Sequence, residues 1–223
     1  MKVLFIGNSF TFYFGVPGIF GSLCAADGRN VSVESVTCGG WTLEHIASSE
    51  DKYGKIVDAK LRSETRYDVV ILQEQSQRPF ADYDAFLSGC RILKEKIRAN
   101  NKNARILLYE TWSYGDDHAG LREKGWKAEN MQKLLEDAYA AAAKEIGAEI
   151  SHVGKGMLCL YRETDLEPYD GDRKHQSYYG SYLAAVTHFL KVFPDADREN
   201  VRFPGECAPA EQEQIVGIAL RNR

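Results

Sequence analysis

A serine, a histidine and an aspartate in this sequence have the residue types and spacing that acyl transfer requires. Ser9 directly follows the apolar run 3–6, in the turn-forming sequence Gly7-Asn8-Ser9-Phe10. Asp172 and His175 are three positions apart, which would place them on one side of a helical turn, with the carboxylate fixing the imidazole tautomer. The other ring nitrogen could then accept the serine proton. On its own the pair would more often be a solvated loop histidine, but with Ser9 it predicts a catalytic triad.

Two further segments could supply donors for the negative charge that develops in the tetrahedral intermediate of acyl transfer. Adjacent glycines, Gly39 and Gly40, follow the second apolar run, where a bare backbone amide can approach a ligand closely. Gln75 follows the third apolar run and offers a side-chain amide. Each signal alone is weak, because a glycine pair is usually a turn and a glutamine usually lies at the surface.

Aromatic residues follow two of the predicted strands. Trp41 comes after the second apolar run, and Trp112 and Tyr114 come after the fourth. Exposed aromatic faces at this edge could stack against a sugar ring or an acyl chain, which makes Trp41 and Trp112 candidate substrate-binding residues. The alternative for each is a partly buried loop anchor.

The elements that must position these residues are visible as short apolar runs. Five nearly continuous runs, rich in β-formers, are typical of parallel strands covered on both faces. They lie at residues 3–6, 31–36, 69–72, 106–109 and 149–153. Ser9, the glycine pair and Gln75 follow the first three runs, so they should meet at the carboxyl edge of one sheet, where open α/β folds bind ligands.

Apolar residues spaced by three and four predict three amphipathic helices. They are marked by Phe86, Cys90, Leu93 and Ile97; by Met131, Leu134, Leu135, Ala138 and Ala142; and by Tyr182, Val186, Phe189, Leu190 and Phe193. Residues 110–125 are predicted to form a long polar loop, and the tail 204–223 to hold a helix that starts near Pro209. The alternation predicts a single α/β domain over residues 1–223, a three-layer α/β/α sandwich with a five-stranded parallel sheet and flavodoxin-like topology.

The composition narrows the classes of function. With 223 residues the chain is too short for two comfortable domains, and its net charge of -4 gives no reason to expect a nucleic-acid partner. Five cysteines without paired spacing favour a reducing compartment over a disulfide framework or a zinc site. No run approaches the roughly 20 apolar residues of a membrane span. We expect a cytoplasmic enzyme that needs no metal or organic cofactor, although a removed leader would leave no trace here.

Taken in order, these segments resemble the sequence blocks of the SGNH (GDSL-type) hydrolases, a family named for serine, glycine, asparagine and histidine. Gly7-Asn8-Ser9-Phe10-Thr11 is similar to the first block and Gly40-Trp41-Thr42 to the second. Gln73-Glu74-Gln75-Ser76 occupies the place of the third block, and Asp172-Arg173-Lys174-His175 matches the Asp-x-x-His of the last. The resemblance spans the chain from residue 3 to about residue 190, and a handful of positions carry it.

The resemblance implies a role for each of these residues. Ser9 would be the nucleophile, His175 the general base and then acid, and Asp172 the residue that orients the histidine. The amides of Ser9 and Gly40 and the side chain of Gln75 would form the oxyanion hole, with Gly39 as an alternative to Gly40.

Two departures set this sequence apart from the common family pattern. Asn8 stands where the family commonly has an aspartate, and Gln75 stands where it has an asparagine. Asn8 keeps a shape similar to that of aspartate but loses the charge, and Gln75 carries an extra methylene that the backbone or the rotamer must absorb.

The predicted activity is hydrolysis of small O-acyl esters, acetyl esters above all, on carbohydrates or other small molecules. A non-catalytic carbohydrate- or ligand-binding module on the same fold is the alternative. A nucleotide or phosphate binder is less consistent, because the loop at residues 7–11 lacks the repeated glycines of a phosphate cradle.

Overall fold

The structure, a computed structural model, describes residues 1–196 and 207–222. Five strands are present: β1 (Lys2–Gly7), β2 (Ser32–Thr37), β3 (Val69–Leu72), β4 (Arg105–Tyr109) and β5 (Glu149–Ser151). The helices are α1 (Ser9–Phe12), α2 (Val16–Ala26), α3 (Leu43–Ala47), α4 (Lys52–Arg62), α5 (Arg78–Ala81), α6 (Tyr83–Asn100), α7 (Ala119–Arg122), α8 (Ala128–Ile146), α9 (Val153–Glu163), α10 (Tyr178–Val192) and α11 (Pro209–Arg221). A 3-10 turn, Tyr13–Gly15, joins α1 to α2.

All five strands are parallel, in the order β2-β1-β3-β4-β5. The chain moves from β1 outward to β2 and then crosses back to β3 on the other side of β1. The crevice between the carboxyl ends of β1 and β3 is therefore the topological switch point, where doubly wound sheets bind ligands. Ser9 follows β1 and Gln75 follows β3, so the fold delivers both to this crevice.

Alternation along the strands supplies a separate core on each face of the sheet. Val3 and Phe5 of β1 face the cluster formed with α2, α9, α10 and α11. Leu4 and Ile6 face the cluster formed with α3, α4, α6 and α8. Because both faces are covered there, the central strands β1 and β3 are almost continuously apolar, whereas the edge strands β2 and β5 also carry polar residues. The five-stranded parallel sheet and the layered α/β class are confirmed.

Several details of the predicted elements are wrong. The fifth strand ends at Ser151, and Val153 begins helix α9, which the predictions omit. Residues 110–125 were predicted to form a long polar loop. Residues 110–115 are instead a buried loop, and the more polar part that follows contains the short helix α7. Leu134 is exposed although it was assigned to the apolar face of α8. The helix in the tail begins at Pro209, as predicted, whereas residues 204–206 lie outside the described residues.

One segment in the described part of the chain is long and apolar enough to cross a membrane by length and composition alone, Ser9–Ala26. It is not a continuous helix, because Phe14 and Gly15 both have positive φ between α1 and α2. Helix α2 packs into the core on one face of the sheet. By length and composition, this segment contradicts the prediction that no apolar run approaches the length of a membrane span.

Candidate active site

The serine turn is held by buried amide side chains. Asn8 caps α1 by accepting a hydrogen bond from the Phe10 amide, so Ser9 becomes the first residue of the helix. Gln73, at the end of β3, accepts from the Asn8 amide at 2.8 Å and donates to the Asn8 side chain at 2.9 Å. Asn8 Nδ2 in turn donates to the Trp41 carbonyl oxygen at 2.8 Å. Asn8 therefore joins the segments that follow β1, β2 and β3.

Gly7 is required for this arrangement. A Cβ atom at this position would lie 2.5 Å from both Gln73 Oε1 and Thr11 Oγ1. Those two atoms are hydrogen-bonded to each other at 2.9 Å in the buried crevice. Any side chain at position 7 would push them apart, and the serine turn would lose its support from β3.

Ser9, His175 and Asp172 form a continuous hydrogen-bonded chain. His175 Nε2 lies 2.9 Å from Ser9 Oγ, across 166 positions of sequence, and His175 Nδ1 lies 2.5 Å from Asp172 Oδ2. Because the Asp172 carboxylate is an acceptor, Nδ1 carries the proton and Nε2 accepts from the serine hydroxyl. This is the arrangement that lets an imidazole remove a proton from a serine nucleophile.

The local geometry of the Asp172–His175 pair differs from the predicted helical turn. Residues 171–175 form a non-helical turn in which Arg173 has a φ of 59°. Asp172 Oδ1 accepts from the amides of Lys174 and His175 at 3.0 and 2.8 Å, which leaves Oδ2 for the imidazole. The pair meets because a short carboxylate side chain caps its own turn. The spacing of three residues predicted the contact correctly, although the contact forms in a capped turn and not in a helix.

Asp172 stays ionised in this setting. Partial burial alone would raise the pKa of its carboxyl group, but the hydrogen bond from His175 and the two amides outweigh burial and lower the pKa below its usual range. An ionised Asp172 keeps Nδ1 protonated and could stabilise an imidazolium at His175.

Aromatic rings fix the position of the imidazole. Tyr13 stacks on His175, with ring centroids 4.5 Å apart and an interplanar angle of 14°. Phe10 approaches the same imidazole edge-on at 5.4 Å and stacks on Trp112 at 4.2 Å. The indole N–H of Trp112 donates to the Lys174 carbonyl oxygen. The serine turn, the loop after β4 and the histidine turn thus share one aromatic stack.

Trp112 is therefore wrongly predicted as a substrate-binding residue. Its indole is completely buried, because Phe10 covers one face and the histidine turn takes its N–H. Tyr114 is also buried, and its hydroxyl lies 2.8 Å from Ser76 Oγ. Trp41 differs, because its ring is only half-buried, with its N–H donated to Asp51. Trp41 stays a predicted substrate contact.

The three predicted oxyanion donors all lie at the carboxyl edge of the sheet. Gly40 is exposed after β2, with a φ of 74° that favours glycine, and Gly39 lies beside the Phe12 ring. The Gln75 side chain donates one N–H to Ser76 Oγ at 2.9 Å, which leaves its second N–H for a ligand. The assignment of Ser9, Gly40 and Gln75 to an oxyanion hole stays a prediction.

Sequence reasoning missed the residues that support the triad from behind. Gln73 and Glu74 are fully buried, and Gln176 donates to the Phe10 carbonyl oxygen at 3.0 Å. The sequence signal for these residues was their position: Gln73 and Glu74 directly follow β3, and Gln176 directly follows His175. Within the described ranges, no group of three histidine, cysteine or acidic side chains has an arrangement that could hold a metal ion.

Comparisons with known proteins bear on the fold. No protein-family model matches the sequence, and no curated protein matches it. Among solved structures, a candidate SGNH hydrolase from Slackia heliotrinireducens is 26% identical with a TM-score of 0.74, covering 86% of this chain and 98% of its own. A DUF4886 family protein from Bacteroides uniformis is 22% identical with a TM-score of 0.83, covering 99% and 93%.

An acetylxylan esterase from Geobacillus stearothermophilus is a more distant structural neighbour, at 15% identity and a TM-score of 0.59, covering 85% of this chain and 92% of its own. Structures described as a GDSL-like lipase and a lipase/acylhydrolase share the same arrangement of strands and helices. The chain thus has the SGNH (GDSL-type) hydrolase fold, as its sequence blocks predict.

Proposed function

We propose that this chain is a carboxylic-ester hydrolase that removes small acyl groups, acetyl above all, from esterified carbohydrates through an acyl-enzyme on Ser9. The observation that carries the proposal is the hydrogen-bonded chain from Ser9 through His175 to Asp172. It lies at the switch point of a hydrolase fold. The structural neighbours described as hydrolases, lipases and esterases support the same class of reaction.

The first step is attack of Ser9 on the ester carbonyl. His175 Nε2 takes the hydroxyl proton as Oγ bonds to the carbonyl carbon, and Asp172 stabilises the resulting imidazolium. Negative charge develops on the carbonyl oxygen, where the amides of Ser9 and Gly40 and the free N–H of Gln75 would stabilise it. Collapse of the tetrahedral intermediate breaks the C–O bond, and the imidazolium protonates the leaving alcohol.

Deacylation repeats the same steps with water as the nucleophile. His175 accepts a proton from water, the water oxygen attacks the acyl carbon, and the acid leaves as Ser9 recovers its proton. Both half-reactions need a neutral imidazole at the start.

The surroundings of the imidazole support a ring-shaped alcohol. Because His175 protonates the leaving oxygen, the alcohol must lie on the imidazole side of the site. Tyr13 stacks on that imidazole, and the next residue, Phe14, packs against Tyr178 with 49% of its surface exposed. Phe14 also has a φ of 50°, a strained conformation that costs roughly 1–3 kcal/mol. An exposed aromatic ring held under strain on the residue next to Tyr13 suits stacking on a sugar.

The nucleophile can be tested by labelling and by turnover. A fluorophosphonate probe should label the wild-type protein on Ser9, and p-nitrophenyl acetate should be hydrolysed. Ser9→Ala should abolish both, whereas Ser88→Ala, an exposed serine on α6, should change neither. Ser9-independent turnover would contradict the proposal. Sugar binding with neither labelling nor turnover would instead favour a binding module.

The carbohydrate part of the proposal needs two substrates. Trp41→Ala and Phe14→Ala should each lower kcat/KM on acetylated xylo-oligosaccharides by about 5- to 10-fold, the loss expected for one stacking contact. Hydrolysis of p-nitrophenyl acetate should change less than twofold, because the small substrate does not reach these rings. Ile92→Ala, an exposed apolar residue on α6, is the control. Equal losses on both substrates would contradict a sugar platform.

A further inference from the structure

Glu74 is a buried carboxyl group that the triad mechanism does not use. It follows β3, immediately before Gln75, and its side chain is completely buried. Burying a carboxylate is expensive unless hydrogen bonds compensate. Glu74 lies between Gln73 and Gln75 at the carboxyl end of β3, so the partners that compensate its burial decide what the group can do.

The partners of Glu74 come from both segments that carry predicted oxyanion donors. Glu74 Oε1 accepts a hydrogen bond from the backbone amide of Gln75 at 2.5 Å. Both carboxylate oxygens accept from the Leu43 amide at 3.2 Å, at the start of α3 and three residues after Gly40. One carboxylate thus ties the segment after β2 to the segment after β3.

Among the described residues, no cation forms a close ion pair with Glu74. Arg78 of α5 exerts an attraction on the carboxylate, but its guanidinium binds Glu44 and Asp82. Glu44 of α3 opposes the charge, and Cys90 of α6 and Tyr139 of α8 face it as neutral groups. Burial therefore dominates and raises the pKa of Glu74 to about 7, while the two amides and Arg78 act in the other direction.

We propose that Glu74 is a positioning residue for the oxyanion hole, whose carboxylate holds the Gly40–Leu43 segment and Gln75 at the spacing that turnover requires. As a carboxylate it accepts from the Gln75 backbone amide through Oε1 and from the Leu43 amide through both oxygens. When protonated, one oxygen becomes a donor that faces the Leu43 amide, and the tie between the two segments weakens. This inference rests on the proposed esterase function.

The test is the pH profile of kcat for p-nitrophenyl acetate, measured for wild type, Glu74→Gln and Glu50→Gln. Gln mimics the protonated form of Glu74 in shape and hydrogen bonding, and Glu50 is an exposed carboxylate just after α3. At pH 8, Glu74→Gln should lower kcat between about 10-fold and 100-fold, the range expected for displaced catalytic groups, with KM changed less than twofold. Glu50→Gln should match wild type.

The acidic limb separates positioning from a merely structural role. In wild type, protonation of Glu74 should lower kcat as pH falls through about 7. Glu74→Gln lacks this titration, so its deficit in kcat relative to wild type should shrink as pH falls below 7. A ratio of wild-type to Glu74→Gln kcat that stays constant from pH 8 to pH 5 would overturn the proposal.

The failures of the two proposals are distinguishable. Absence of Ser9-dependent turnover in wild type would overturn the esterase function and the role of Glu74 with it. Ser9-dependent turnover with an unchanged Glu74→Gln variant would overturn the role of Glu74 alone. The wild-type profile needs no variant: a kcat that stays constant as pH falls through about 7 would overturn the proposal even if Glu74→Gln folds poorly.

Discussion

Asn8 stands where the SGNH pattern commonly has an aspartate, and its contacts explain why an amide suits this protein. Its Nδ2 donates to the Trp41 carbonyl oxygen, while its Oδ1 accepts from Phe10 and Gln73. A carboxylate could replace the accepting oxygen but not the donor. Asn8 and Gln73 therefore form a complementary amide pair, in which each side chain needs the other's polarity.

Restoring the aspartate should damage this protein. In Asn8→Asp, a buried carboxylate oxygen would face the Trp41 carbonyl oxygen, and leaving such a group unsatisfied costs about 1–3 kcal/mol. We expect a lower free energy of unfolding by that amount in urea titrations at pH 8, and a fall of about tenfold in kcat/KM as the serine turn shifts. Asn30→Asp, at an exposed asparagine, is the matched control. An Asn8→Asp variant as stable and active as wild type would contradict the network.

The roles of individual residues were predictable from sequence only where chemistry and position coincide. Ser9, Asp172 and His175 carry functional groups at the ends of elements, and the structure brings them into contact. The inward direction of Gln73 and Glu74 depends on how the chain leaves β3, which residue types do not reveal. The burial of Trp112 depends on Phe10, a residue from another element, so its type suggested a surface platform that packing rules out.

At the scale of elements, apolar runs rich in β-formers identified the five described strands, most clearly the central strands β1 and β3, where both faces of the sheet are covered. Helix α9 escaped prediction although Val153, Met157 and Leu160 have helical spacing. Gly154 obscured the pattern, and the structure explains it: a Cβ atom there would lie 2.1 Å from the Thr111 carbonyl oxygen. The helix must start close against the loop after β4, and this close approach requires glycine.

The loop after β4 also contacts the turn that carries His175. The Gly115 amide donates to the Arg173 carbonyl oxygen, and the Trp112 indole donates to the Lys174 carbonyl oxygen. The Arg173 side chain pairs with Asp117 and Glu167. The histidine turn is thereby attached to the carboxyl end of β4. This attachment is tertiary, so the sequence predicted the turn and its spacing but not what holds it in place.

At the scale of the whole molecule, two buried titratable groups set opposing trends of stability with pH. Burial raises the pKa of Glu74 from 4.5 to about 7 and lowers the pKa of His188 from 6.5 to about 3. The folded state therefore takes up a proton on Glu74 more readily than the unfolded chain, which adds stability as pH falls from 7 toward 4.5. It resists protonation of His188, which removes stability as pH falls below 6.5.

The two trends should nearly cancel between pH 7 and pH 5. Integrating the linkage relation with these pKa values gives a gain of about 2 kcal/mol from Glu74 and a loss of about 2 kcal/mol from His188. Wild-type protein should show little net change in its free energy of unfolding from these groups. Glu74→Gln should lose about 2 kcal/mol on acidification, because the His188 trend alone remains.

His188→Leu should show the reverse trend, a gain of about 2 kcal/mol over the same range, because the Glu74 trend alone remains. Leucine suits the site, since both nitrogens of His188 lack a hydrogen-bond partner among the described residues and its ring packs against Phe5 and Tyr109. Urea titrations at pH 7, 6 and 5 measure the free energy of unfolding of wild type, Glu74→Gln and His188→Leu. Parallel pH trends in the two variants would contradict the opposing roles. A gain in the free energy of unfolding of His188→Leu on acidification would show that the buried carboxyl group of Glu74 titrates near neutrality, as its proposed role in turnover requires.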